Sequence, residues 1–108
     1  MKSDLELVCD TLDGHKEAFG ILVTRYRDCV YGLALSFLGD FEAAYDISQE
    51  VFLRAFLNLN RLADAGKLSP WLRAITANAC RMRLRQRRDR VPIDHLDRED
   101  AVPSENRT

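Results

Sequence analysis

Apolar residues recur along this chain at helical spacing, and no stretch alternates as a strand would. Leu5, Val8, Cys9 and Leu12 form a short stripe. Ser3 followed by Glu6 has the form of a capping box, and Gly14 suits the end of this first helix. Over residues 15–38 the positions Ala18, Phe19, Leu22, Val23, Tyr26, Val30, Leu33, Ala34 and Phe37 keep a period of about 3.6 residues, and Gly39 is placed to close the helix. Asp40 is the expected N-cap of a third helix. Its apolar face runs through Ala44, Ile47, Val51 and Ala55 to Leu59 or Leu62, widened by Phe52 and Phe56. Residues 63–68 break the period. Ser69 and Pro70 then supply an N-cap and a first-turn proline for a fourth helix reaching about Arg88. Beyond Val91 and Pro92 the chain turns polar and acidic, which predicts a linker or flexible tail.

The expected fold is therefore all-α, a compact bundle of about four helices over residues 1–90, with residues 91–108 as the tail. At 108 residues and 46% apolar, the chain is long enough for one modest core. Three cysteines, Cys9, Cys29 and Cys80, are odd in number and lack metal-ligand spacing, so they read as buried small hydrophobes. No apolar run is long enough to span a membrane and the N-terminus is not that of a signal peptide, which makes the cytoplasm the expected location.

The net charge of −1 conceals a sharp asymmetry. Residues 1–72 carry seven Lys/Arg against eleven Asp/Glu, residues 73–90 seven Arg against Asp89 alone, and residues 91–108 two against five. An arginine-only block in an otherwise acidic chain suits a phosphate-facing surface, because guanidinium offers a rigid fork of donors. At about 100° per residue, Trp71, Leu72, Ile75, Ala79 and Met82 share one arc, expected to be core. Ala74, Asn78, Arg81, Arg85 and Arg88 share another. Such a row can hold phosphates through its arginines while the Asn78 amide meets a base edge. A solvated, helix-favouring arginine face is the alternative reading of the same row.

Taken in order, several segments resemble a known family. Asp46-Ile47-Ser48-Gln49-Glu50 runs into Val51-Phe52-Leu53-Arg54-Ala55-Phe56, and Pro70-Trp71-Leu72-Arg73-Ala74-Ile75-Thr76-Ala77-Asn78 precedes the arginine cluster. With Ala18-Phe19, Tyr26-Arg27, Leu33-Ala34 and Gly39-Asp40, this pattern resembles region two of the extracytoplasmic-function (ECF) sigma factors of bacteria, over roughly residues 3–90. The resemblance implies a domain that binds core RNA polymerase and helps recognise and melt the promoter minus-ten element. Asp46, Gln49, Glu50 and Arg54 match the positions that dock onto the clamp helices of the polymerase's largest subunit. Arg73, Asn78, Arg81, Arg85 and Arg88 become the DNA-binding set, facing promoter DNA and above all its non-template single strand. The loop at 62–69 and the start of the fourth helix match the part that captures an unstacked base. An anti-sigma regulator is a further implied partner; no cofactor, metal or membrane is.

Three departures from the family pattern stand out. Tyr45 occupies a place where an acidic residue is usual, and the loop before Trp71 carries Leu62 and Leu68 where aromatics are common. The chain also ends without the second, helix-turn-helix domain, which implies a shortened chain or a single-domain member. Nothing points to an enzyme: His15 and His95 stand alone, and no catalytic motif is present. The competing reading is a helical protein-interaction module that binds a regulator without touching DNA, and it leaves the Asn78–arginine row without a role.

Overall fold

The computed structural model describes residues 1–90, and the linker or tail expected at 91–108 lies outside the described residues. Four helices appear in chain order: α1 (Asp4–Leu12), α2 (Lys16–Leu38), α3 (Phe41–Leu57) and α4 (Leu68–Arg90), with no strand among the described residues. Two short 3-10 turns, Leu59–Arg61 and Ala65–Lys67, fill the connection between α3 and α4. The all-α expectation holds.

The helix ends follow the local chemistry. Ser3 and Glu6 form the reciprocal capping box, with N···O distances of 2.8 and 3.1 Å. Gly39 closes α2 in the left-handed region at φ 65°, where a Cβ would be strained, and its N–H donates to the Leu35 carbonyl at 2.8 Å. The Asp40 carboxylate accepts from the Ala43 N–H at 3.3 Å and starts α3. The last helix departs from expectation. It begins at Leu68, running straight on from the 3-10 turn, so Ser69 and Pro70 lie inside its first turn, and the nearest capping carboxylate, Asp64, caps the 3-10 turn by accepting from the Gly66 N–H at 2.9 Å.

Helix α2 is the central element, packed against α1, α3 and α4, while α3 and α4 also pack on each other. Its stripe of Ala18, Leu22, Val30, Ala34 and Leu38 is buried, as are Ala44, Ile47, Val51 and Ala55 of α3 and Leu59 beyond it. Phe52 and Leu62 are half-buried against this core, whereas Phe56 is 37% exposed and meets Phe19 edge to face at 5.1 Å.

Two expected faces are rotated. In α1 the residues facing inward are Leu7, Val8 and Thr11, while Leu5 and Leu12 are 58% and 51% exposed. A polar anchor sets that rotation. Asp4 receives hydrogen bonds from Arg25 at 2.7 Å and from the Tyr26 hydroxyl, and the residues at i+3, i+4 and i+7 from Asp4 are then the ones turned to the bundle. The Thr11 hydroxyl is satisfied by donating to the Leu7 carbonyl at 2.8 Å. In α4 the buried row is Leu68, Leu72, Thr76, Ala79 and Cys80; Trp71 and Ile75 sit half-buried at its rim, and Met82 is 43% exposed. The small side chains at 76, 79 and 80 let α4 approach two helices at once, and the larger Trp71 and Met82 are displaced to the edge. Of the three cysteines only Cys80 is buried; Cys9 and Cys29 are exposed, correcting the expectation for those two.

Candidate nucleic-acid and polymerase interface

Helix α3 buries one face in the core and presents the other to solvent. Asp46 and Gln49 are exposed, opposite Ile47 and Val51, which are 1% and 0% exposed. Glu50 and Arg54, four residues apart, are half-buried and paired at 2.6 Å. Such a pair stabilises a helix by only about 0.3–0.5 kcal/mol, so its interest is positional. Large apolar side chains share this outer surface: Phe41, Tyr45, Leu53 and Leu57 are between 59% and 71% exposed. Reasoning from charge alone passed over them. The signal was present, because Leu53 and Leu57 fall outside the period that puts Val51 and Ala55 in the core.

On α4, Asn78, Arg81, Arg85 and Arg88 are all exposed along one row, and Arg81 donates to the Asn78 side-chain oxygen at 3.2 Å. Arg73 is exposed as well but stands about 140° around the helix from Asn78, off that row. The arginine block is thus divided. Arg83 and Arg87 turn inward and are half-buried, with Arg87 3.9 Å from Asp40 at the start of α3. Burial pushes the Cys80 thiol up in pKa, an effect that Arg83 and Arg81 nearby reduce.

Between the C-terminal end of α3 and the first turns of α4 lies an open cleft of about 300 Å³, lined by Arg54, Asn58, Arg61, Trp71, Ile75 and Asn78. Two residues expected at different interfaces, Arg54 and Asn78, thereby share one site. Asn58 and Arg61 were not foreseen, although 50, 54, 58 and 61 continue the i, i+4 row of α3 past its end into the 3-10 turn. The 62–69 loop contributes differently from expectation: Leu68 is 2% exposed and belongs to the core, and the apolar wall of the cleft is Trp71 with Ile75. A half-buried indole beside four polar side chains can take a flat, acceptor-bearing ring. Among the described residues no group of three His, Cys, Asp or Glu side chains could hold a metal ion, and no helix is long and apolar enough to cross a membrane.

Comparison with known proteins identifies the family. The family model described as Sigma-70 region 2 matches residues 22–90, which include α3, the cleft and all of α4. The ECF RNA polymerase sigma factor SigW of Bacillus subtilis is 36% identical over 88 residues, 82% of this chain and 46% of SigW. The RNA polymerase sigma-H factor of Pseudomonas aeruginosa is 32% identical over 100 residues, 93% of this chain and 52% of that protein. The chain spans about half the length of these two curated relatives. It belongs to the sigma-70 region 2 family, in the extracytoplasmic-function branch.

Proposed function

We propose that this chain acts in transcription initiation by joining core RNA polymerase to an opened promoter. The outer face of α3, with Asp46, Gln49, Glu50 and Arg54, docks on the clamp helices of the largest polymerase subunit. The α4 row and the cleft at its start hold the non-template strand of the minus-ten element. Residues 1–90 are the working domain, and the site of action is the cytoplasm.

The observation that carries this reading is the cleft: Trp71 and Ile75 form an apolar wall, Asn78 and Arg61 line the same space, and the exposed arginines continue from Asn78 along α4. Stacking a base on such a wall contributes about 1–3 kcal/mol, which offsets the few kcal/mol of unstacking it. Arginines along the row add a salt-dependent term that every sequence shares. No catalytic group is needed, since a protein that binds the open strand better than the duplex shifts the equilibrium toward opening. An anti-sigma regulator completes the proposed partner set. The solvent-facing Leu5 and Leu12 of α1 favour a protein partner of some kind, which is also what the interaction-module reading draws on, but that reading leaves the arginine row unused.

Co-purification with core RNA polymerase tests the proposal. The parent chain is expected to be retained. Reversing charge at Asp46 and Glu50 together should weaken retention, while stability falls by about 0.5 kcal/mol for exposed Asp46 and by about 0.5–1 kcal/mol for half-buried Glu50, which also loses its Arg54 pair. Equal retention of parent and double variant would show that the docking face lies elsewhere.

A further inference from the structure

Arg54 touches two surfaces of unlike charge. On one side its guanidinium donates to the Glu50 carboxylate at 2.6 Å, at the edge of the ridge that also carries Asp46. On the other it lines the cleft with Asn58, Arg61, Trp71, Ile75 and Asn78, a set without a carboxylate. A partner that complements Asp46 and Glu50 is cationic, and to such a partner Arg54 has the wrong sign. The cleft has the opposite need. Asn78 has its side-chain oxygen engaged by Arg81 at 3.2 Å and so offers its amide N–H groups, and Arg61 offers only donors. Asn58 spends an amide N–H on the Arg54 carbonyl at 2.9 Å and keeps its side-chain oxygen as an acceptor, but two guanidiniums and the Asn78 amide leave the lining donor-rich overall, which suits an acceptor-bearing ligand such as a strand phosphate or the carbonyl edge of a base.

We infer that Arg54 is a nucleic-acid-binding residue of the cleft, held on the polymerase ridge by Glu50 and transferred to the DNA strand when Glu50 takes a cationic partner. This inference rests on the function proposed above and adds a link between its two halves. Engagement of Glu50 removes the competitor for the Arg54 guanidinium, and the same residue then strengthens the grip on single-stranded DNA. The link is reciprocal by thermodynamic necessity.

Fluorescence anisotropy of the chain with a labelled single-stranded oligodeoxynucleotide of about 12 mixed-sequence nucleotides tests it without polymerase. Glu50→Gln, which releases Arg54 as docking would, should tighten binding about twofold, the equivalent of one helical ion pair. Asp46→Asn removes the same charge on the same helix and should give a smaller change. Arg54→Gln should weaken binding about tenfold, within the range of a lost arginine contact. In the Arg54→Gln background the Glu50→Gln gain should vanish. A gain that persists without Arg54 is a long-range charge effect and overturns the inference, as does unaltered binding by Arg54→Gln or by Glu50→Gln. If Asn78→Ala and Arg85→Gln lose affinity while Arg54→Gln does not, the proposed function stands and only the role of Arg54 falls. If the parent chain does not bind the strand at all, both fall together.

Discussion

Neutralising Arg81, Arg85 and Arg88 together, each to glutamine, should change the salt dependence of single-strand binding, and the size of that change follows from which arginines the bundle leaves outside. These three are exposed on the row that starts at Asn78, whereas Arg83 and Arg87 are half-buried against the bundle. Each phosphate contact to a single strand adds about −0.7 to the slope of log affinity against log salt. Three contacts therefore contribute about −2.1, which amounts to an 18-fold loss on going from about 50 to 200 mM salt. The triple variant should bind more weakly at low salt and show a slope shallower by about 2. Substituting Arg83 and Arg87 by glutamine should instead change stability by less than about 1 kcal/mol, since the 3.9 Å contact of Arg87 with the carboxylate that caps α3 is partly exposed on both sides. It should alter the slope by less than one contact, about 0.7. Titrations at a series of salt concentrations on one oligonucleotide measure both. The division of the block would be refuted by a triple variant with the parent's slope, or by an inward pair that flattens the slope as much as the outward three.

Other consequences are open to simple measurement. Ile47→Ala, at a site 1% exposed, should cost about 2–5 kcal/mol in a denaturant titration, while Leu53→Ala on the outer face of the same helix, 59% exposed, should stay within about 0.5 kcal/mol. Burial, and after it the hydrogen bond to Asp4, holds the Tyr26 hydroxyl well above its ordinary pKa of 10.0, at about 12. Because the folded state keeps this proton more tightly than the unfolded one, the stabilisation is complete below pH 10 and is lost as pH rises through about 12. Unfolding midpoints of parent and Tyr26→Phe should therefore converge over that interval, and a constant difference would place the effect elsewhere. Under iodoacetamide at neutral pH, Cys9 and Cys29 should alkylate readily and the buried Cys80 only after unfolding, as peptide mass mapping would read.

Much of this protein is determined by local chemistry that the sequence carries on its own. The capping box of Ser3 and Glu6, the left-handed stop at Gly39 and the Asp40 cap need only residues within one or two turns, so they were legible before any tertiary contact was considered. The long stripes of α2 and α3 were legible too. Over four or more turns a period of about 3.6 residues averages out individual misfits and defines the buried face. The ordered motifs of α3 and α4 were also enough to bring the family into view.

Short helices and helices packed on two sides were decided by the tertiary structure. In α1, apolar spacing favoured Leu5, Val8, Cys9 and Leu12, of which Val8 is buried, but a polar anchor from Asp4 to Arg25 and Tyr26, 21 and 22 residues away in the chain, turned Leu7 and Thr11 inward beside it in place of the others. No periodicity within nine residues can register a partner that distant. In α4, contact with both α2 and α3 selected the small residues Thr76, Ala79 and Cys80 for the core and moved Trp71 to the rim, where it became a wall of the cleft. The cleft is likewise a product of packing. Arg54, Asn58 and Arg61 come from one side of a connection and Trp71, Ile75 and Asn78 from the other, and only the docking of α4 beside the end of α3 makes one site of them.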